Sequence, residues 1–211
     1  MNDTNWNYSD KVKEHFFNPK NVLKVSEEEY NADGVGENGS PVCGDLMRIY
    51  IKVKDNKIYD MRWKTFGCAS AIGSTSMLSV MVTENGGMEL EEAMKIKPDD
   101  IIKKLGGLPP NKIHCSVLGD KALRAAIKDY YRNSDQTDKI NTEKESRIVC
   151  HCLNVTEDEI KMEVLEGVKD FDTLQKRTKV STACGKCEPE VRELLDKYVK
   201  KYYIKDIYTG E

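Results

Sequence analysis

Residues 133–146, NSDQTDKINTEKES, hold one apolar side chain, Ile140, and keep neither a helical nor a strand period. A stretch of that composition has nothing to bury and reads as a solvated linker. It constrains the fold more than any other feature. The 211-residue chain has to build two separate cores, one from 1–132 and one from 147–211. The second part is small, and so thin an interior calls for a staple such as a metal.

Charge is balanced in both parts: 19 basic and 19 acidic residues in 1–132, and 12 and 13 in 147–211. With a formal net charge of -3 and no dense basic patch, a nucleic-acid partner is not expected. No apolar run approaches the roughly 20 residues a membrane-spanning helix needs, so no membrane partner is expected either. The start, MNDTNWNYSDKVKEHFF, lacks the basic residues and long apolar stretch of a secretory signal. Seven cysteines, an odd number, suit metal ligands or redox groups in a reducing cytoplasm better than an exported disulfide framework.

In the first part DLMRIYIKVK alternates. Met47, Ile49, Ile51 and Val53 share one face, and Arg48, Tyr50, Lys52 and Lys54 the other. Asp55-Asn56 turns the chain, and KIYDMRWKTF alternates again through Tyr59, Met61 and Trp63. This predicts a hairpin with one buried face. CASAIGSTSMLSVMV, rich in small residues, reads as a buried helix; LEEAMKI and PDDIIKKLG read as short helices, and Ser116 to Arg132 as a longer amphipathic one. Antiparallel strands followed by helices make an α+β domain. In the second part, Thr156 and Glu159 form a capping box for a helix through about Glu166. FDTLQKRT is a second helix, and Pro189 suits the first turn of a third. This part is expected to be all-α, with its cysteines in loops.

Those cysteines are Cys150 and Cys152, one residue apart, and Cys184 and Cys187, two apart. Four thiolates can hold one zinc ion or the two irons of a small cluster, and spacing alone leaves the two even. Gly185 lets backbone amides turn toward the sulfurs, and Cys184 is placed just before the last helix, whose dipole favours anionic sulfur. His151, between two ligands, reads as a solvated loop side chain. In the first part Cys43, Cys68 and Cys115 each fall at an element boundary, so loops at one end of a sheet can bring them together. Cys68 and Cys115 sit at predicted helix starts, which favours thiolate.

CHCLNVTEDEI with STACGKCEPEV resembles the bacterioferritin-associated ferredoxin-like domain. The resemblance implies a helical fold with one permanent [2Fe-2S] cluster on Cys150, Cys152, Cys184 and Cys187. The first part, through YSDKVKEHFFNPKN, NGSPVCGDLM, TFGCASAIGSTSM, LPPNKIHCSVLG and ALRAAIKDYY, is similar to the NifU/IscU iron–sulfur assembly scaffold. That resemblance implies an IscU-like antiparallel sheet with packed helices. It also implies a metal site of Cys43, Asp45, Cys68 and Cys115, with His114 as an alternate ligand, holding iron, zinc or a transient [2Fe-2S] cluster. Together the two resemble a shortened NifU, since no further C-x-x-C comes after them. The Tyr-rich tail is expected to extend the last helix and to pack Tyr202 or Ile207.

The function implied is that of a scaffold rather than an enzyme. Sulfur would arrive from a cysteine desulfurase, first on Cys115, then on Cys43 and Cys68. Iron would join it, and the cluster would pass to apo-proteins. An electron donor would act through the C-terminal cluster, and a homodimer is implied. The stretch read by an Hsp70-type chaperone appears as Leu108-Pro109-Pro110-Asn111-Lys112. Asn111 stands where chaperone-dependent members carry valine, which weighs against dedicated docking. Two other classes fit the same residues: an electron-transfer ferredoxin with a docking domain, and a zinc-bound desulfurase activator.

Overall fold

The computed structural model describes the backbone of residues 8–39, 44–141 and 146–204. Cys43 and Ile207 lie outside the described residues, as does the side chain of Asn111. The described chain divides into two compact units, one ending at residue 141 and the other starting at residue 146.

The first unit is a four-stranded antiparallel sheet in the order β1 (Gly34–Gly39), β2 (Leu46–Lys54), β3 (Lys57–Phe66), β4 (Met88–Glu89). Asp55 and Asn56 both adopt positive φ, 52° and 61°, as a tight two-residue hairpin turn requires. Met47, Ile49 and Ile51 are fully buried, as their alternation predicts. The phase then slips. Lys52 pairs with Asp60 but Val53 pairs with Ile58, so Tyr59 is the extra residue of a bulge. Ile58 is therefore the buried residue and Tyr59 is 48% exposed, the reverse of the sequence expectation.

Tyr50 also departs from its expected solvent face. It is buried with Leu23 and Tyr30, which come from the segment before β1 and from α2 (Glu27–Tyr30). Its hydroxyl donates to Glu27 at 2.6 Å. A covering segment of that kind leaves no trace in the strand's own period.

Helix α3 (Ala69–Thr83) is buried on most of its surface despite its serines. The hydroxyls are satisfied locally: Ser74 donates to the Ser70 carbonyl at 2.6 Å, and Ser79 to that of Ser76 at 2.7 Å. Ser76 also meets His15 Nδ1 at 2.7 Å, tying down α1 (Asp10–Phe17). Two short helices come next, α4 (Leu90–Ala93) and α5 (Pro98–Lys104). Helix α6 (His114–Asn133) then lies so close to β1 that a Cβ on Gly36 would stand 2.1 Å from the Ala122 carbonyl oxygen. Only glycine permits that approach. Thr137–Asn141, within the expected linker, forms a 3-10 turn, with Lys139 5.7 Å over the Tyr131 ring.

The second unit holds α7 (Glu157–Leu165), α8 (Phe171–Thr178) and α9 (Glu188–Val199). The Thr156–Glu159 capping box forms. A short antiparallel ribbon, β5 (Ile148–Cys150) with β6 (Val155–Thr156), adds to the expected helices. Glu157 fastens the unit by accepting from Tyr198 at 2.7 Å, Lys197 at 3.1 Å and Arg147 at 3.1 Å. The last helix continues through a π-helical turn, Lys200–Ile204, in which Tyr202 is fully buried and stacks on Tyr198 at 6.3 Å. Among the described residues no helix is long and apolar enough to cross a membrane.

Candidate metal centres

Three chain segments deliver the first site. Asp45 immediately precedes β2. Strand β3 ends at Phe66, and two residues later Cys68 caps the N-terminus of α3. Cys115 is the second residue of α6. One ligand atom from each of Asp45, Cys68 and Cys115 falls within 4.8 Å of the others. The two sulfurs are 3.4 Å apart, and the Cys68 amide donates to Asp45 Oδ2 at 3.3 Å. Gly67 keeps this junction open, since a Cβ there would stand 3.0 Å from Asp45 Oδ2 and 2.9 Å from Ala71 Cβ.

The two thiols of this site differ. Cys115 is 0% exposed, whereas Cys68 is half-buried. The hydrogen bond from Cys115 lowers the Cys68 thiol to about 6. The amides of Ala71 and Ser70 at the start of α3 assist, against opposition from burial and the Asp45 charge. That shift favours the thiolate of Cys68, the one of the two thiols that solvent reaches. His114 opens α6 and is buried, but it is not among the three groups that converge. Cys43 lies outside the described residues.

In the second unit β5 ends on Cys150, which is buried, and the turn after it carries His151 and Cys152, both exposed. Cys184 is exposed, and Cys187 is half-buried. The sequence placed Cys184 just before the last helix, and it does precede α9. The capping position itself is that of Cys187. The thiols meet in pairs. Cys152 donates to Cys184 at 3.3 Å, and Cys150 faces Cys187.

Backbone amides converge on these sulfurs. Burial pushes the Cys150 thiol up, but the Ser181 amide, Cys187 and the Leu153 and Cys152 amides together bring it below the ordinary value. The Lys186 amide, helped by Cys152, lowers Cys184. Cys152, the donor of its pair, is raised. Gly185, at φ +70°, sets the turn that presents the Lys186 amide. Sequence reasoning missed Ser181, whose Oγ is 3.0 Å from Cys187 Sγ and whose φ is 62°. A lone serine three residues before a cysteine carries no pattern. Four thiols with amide donors around them are a donor set that would suit a [2Fe-2S] cluster.

The geometry defines a protein of two units, each with a candidate metal site, one of mixed oxygen and sulfur donors and one of sulfur alone. Residues 7–137 match the NifU-like N terminal domain family, and residues 148–197 match the BFD-like [2Fe-2S] binding domain. The chain is 55% identical over 133 residues to iron-sulfur cluster assembly scaffold protein IscU 1 of Archaeoglobus fulgidus, covering 63% of this chain and 82% of that one. It is 39% identical over 199 residues to the nitrogen fixation protein NifU of Nostoc sp., and 38% over 203 residues to that of Azospirillum brasilense. These alignments cover 90% and 93% of this chain but 63% and 61% of those proteins. The chain belongs to the NifU-like family, with an IscU-like first domain and a BFD-like [2Fe-2S] binding domain after it.

Proposed function

We propose that this protein is an iron–sulfur cluster assembly scaffold. Its first unit, taken as 1–132, would receive sulfur from a cysteine desulfurase and iron, and hold the product [2Fe-2S] cluster for transfer to apo-proteins. The observation that carries this reading is the convergence of Asp45, Cys68 and Cys115 at one spot, with the Cys68 thiol within reach of solvent. Relatives bearing scaffold names support it. Cys43 would complete the ligand set, with His114 as an alternate ligand.

The sequence favoured Cys115 as first sulfur acceptor, but its complete burial favours Cys68 instead. The Cys68 thiolate attacks the outer sulfur of a donor persulfide; the donor's S–S bond breaks, and the donor leaves as a thiolate. Cys68 then carries the persulfide, 3.4 Å from Cys115 in the resting geometry. Asp45 supplies the weaker, harder donor that keeps the held cluster releasable.

In the second unit, 147–211 beyond the 133–146 linker, Cys150, Cys152, Cys184 and Cys187 would hold a permanent [2Fe-2S] cluster. When bound it supplies one-electron chemistry, which serves the reduction of persulfide sulfur to sulfide at two electrons per sulfur. The chain's own part is to anchor four thiolates and aim amides at them. A desulfurase, apo-protein recipients and an electron donor are the partners this implies, in the cytoplasm and with the scaffold as a homodimer.

The test is anaerobic reconstitution of the full chain with iron, cysteine and a desulfurase, then iron and sulfide counts and transfer to an apo-ferredoxin. Two clusters per chain, with one transferred, are expected. An unchanged iron count in the Cys43→Ala, Cys68→Ala, Cys115→Ala triple variant would overturn the reading. Three donors within 4.8 Å also suit a single zinc ion, which favours the desulfurase activator as the second reading. Stoichiometric zinc that reconstitution fails to displace would establish it.

A further inference from the structure

The outer face of the first unit's sheet carries a cleft of about 590 Å³, within the size range of binding sites. One wall is the segment from Pro19 to Val25. It is held firmly, because Leu23 N donates to the Trp63 carbonyl at 2.9 Å and Trp63 Nε1 donates to the Lys20 carbonyl at 2.9 Å. The floor is the outward face of β2 and β3, with Lys52, Asp60 and Arg62, and Tyr30 contributes to the lining.

The charges in this cleft divide into two groups. Arg62 and Asp60 neutralise each other through two contacts of 3.1 Å, and the Tyr30 hydroxyl donates to Asp60 at 3.1 Å. Lys20, Lys24 and Lys52 remain, and none of them forms an ion pair among the described residues. Glu27, at the start of α2, is already engaged by Arg48 at 3.0 Å and by Tyr50. Lys52 instead lies 4.9 Å over the Tyr30 ring. Three lysines without an ion pair among the described residues thus line one cleft of a chain whose net charge is -3.

Lys20 and Lys24 stand at different points along one wall and Lys52 on the floor, so the charge is distributed rather than focused. Distributed charge suits a row of carboxylates better than one phosphate. Val22 and Val25, the latter 40% exposed, add apolar contact beside it. We propose that this cleft docks an extended acidic segment of a partner protein, with its carboxylates on Lys20, Lys24 and Lys52. None of the proposed metal ligands lines it, so a partner can sit there while the first metal site is in use.

The test is fluorescence anisotropy of the full chain with a labelled peptide of alternating Glu and Ser. A Gln-for-Glu peptide and inorganic phosphate serve as comparators. The Glu peptide should bind, weaken as salt rises, and lose roughly tenfold or more in the Lys20→Glu, Lys24→Glu, Lys52→Glu triple variant. The Gln peptide should not bind, and phosphate should compete only as general ionic strength does. Lys20 and Lys24 are exposed and Lys52 is half-buried, and an unchanged melting curve verifies the fold. An equal loss when Lys54, Lys95 and Lys103 are reversed instead would reduce the effect to net charge and overturn the proposal. Displacement by phosphate at low concentration, or unaltered binding to the cleft variant, would overturn it as well.

Discussion

The two metal centres are built from similar parts and arranged oppositely. In the second unit four thiols stand in two pairs, with amides turned toward them from Gly185–Lys186, Ser181 and the Cys150 turn. In the first, two thiols and a carboxylate meet at the junction of a strand and two helix starts. A cluster on the sulfur-only site would cross-link the loops of the smaller unit, whereas the mixed site sits on a unit that the sheet, α3 and α6 already hold together. Loss of metal should therefore cost fold at one site and only occupancy at the other.

The largest expected effect breaks that symmetry outright. Cys184→Ala should abolish the cluster of the second unit and loosen its helices, while Cys68→Ala should empty the first site and leave the melting of its unit nearly unchanged. Visible absorption together with circular dichroism melting reads both. Equal loss of structure in the two variants would remove the distinction between staple and cargo site.

Asp45→Ala comes next. Removing the hard donor should slow loss of the held cluster to a chelator, as followed by the decay of its visible absorption. Faster release than from the unaltered chain would refute the role given to Asp45.

Much of the first unit was legible because its signals are local. The strand alternation at Met47, Ile49 and Ile51 and the stripe of α6 hold in the structure. So does the capping box at Thr156. The misses have a common cause. The bulge at Tyr59 depends on how two strands pair, and the burial of Tyr50 depends on a segment some twenty residues away in sequence. The β5–β6 ribbon is only a few residues long, too short to show a period. At the metal site, Asp45, Cys68 and Cys115 could be named from sequence, but the full burial of Cys115 beside a half-exposed Cys68 comes from tertiary packing alone.

A smaller effect sharpens the comparison through stability. Glu157 is held down to about 2 against an ordinary 4.5, first by the Tyr198 hydrogen bond and then by Lys197 and Arg147. A depressed carboxyl stabilises the fold fully above its unfolded value, and that stabilisation is lost as pH falls from 4.5 toward 2. Glu157→Gln should cost the second unit about 1–2 kcal/mol near neutral pH, mostly through Tyr198, because Arg147 and Lys197 are exposed and screened. The variant should also melt with a weaker dependence on acid than the unaltered chain.

The smallest effect belongs to the first unit. Burial lowers the His15 pKa, against Glu14 and with help from Lys20 and Lys11, so His15 is neutral where it meets Ser76. As pH falls below 6.5 the unfolded chain takes up this proton first, and the unit loses stability in that window. His15→Gln should flatten the slope there, as read by urea denaturation, without altering the second unit.

The most direct measurement tracks iron leaving both sites of one loaded chain under a strong chelator, resolved by Mössbauer spectroscopy over time. The account predicts that the signal of the first site disappears early while that of the four-thiol site persists. Simultaneous decay of the two signals, or earlier loss from Cys150, Cys152, Cys184 and Cys187, would contradict it.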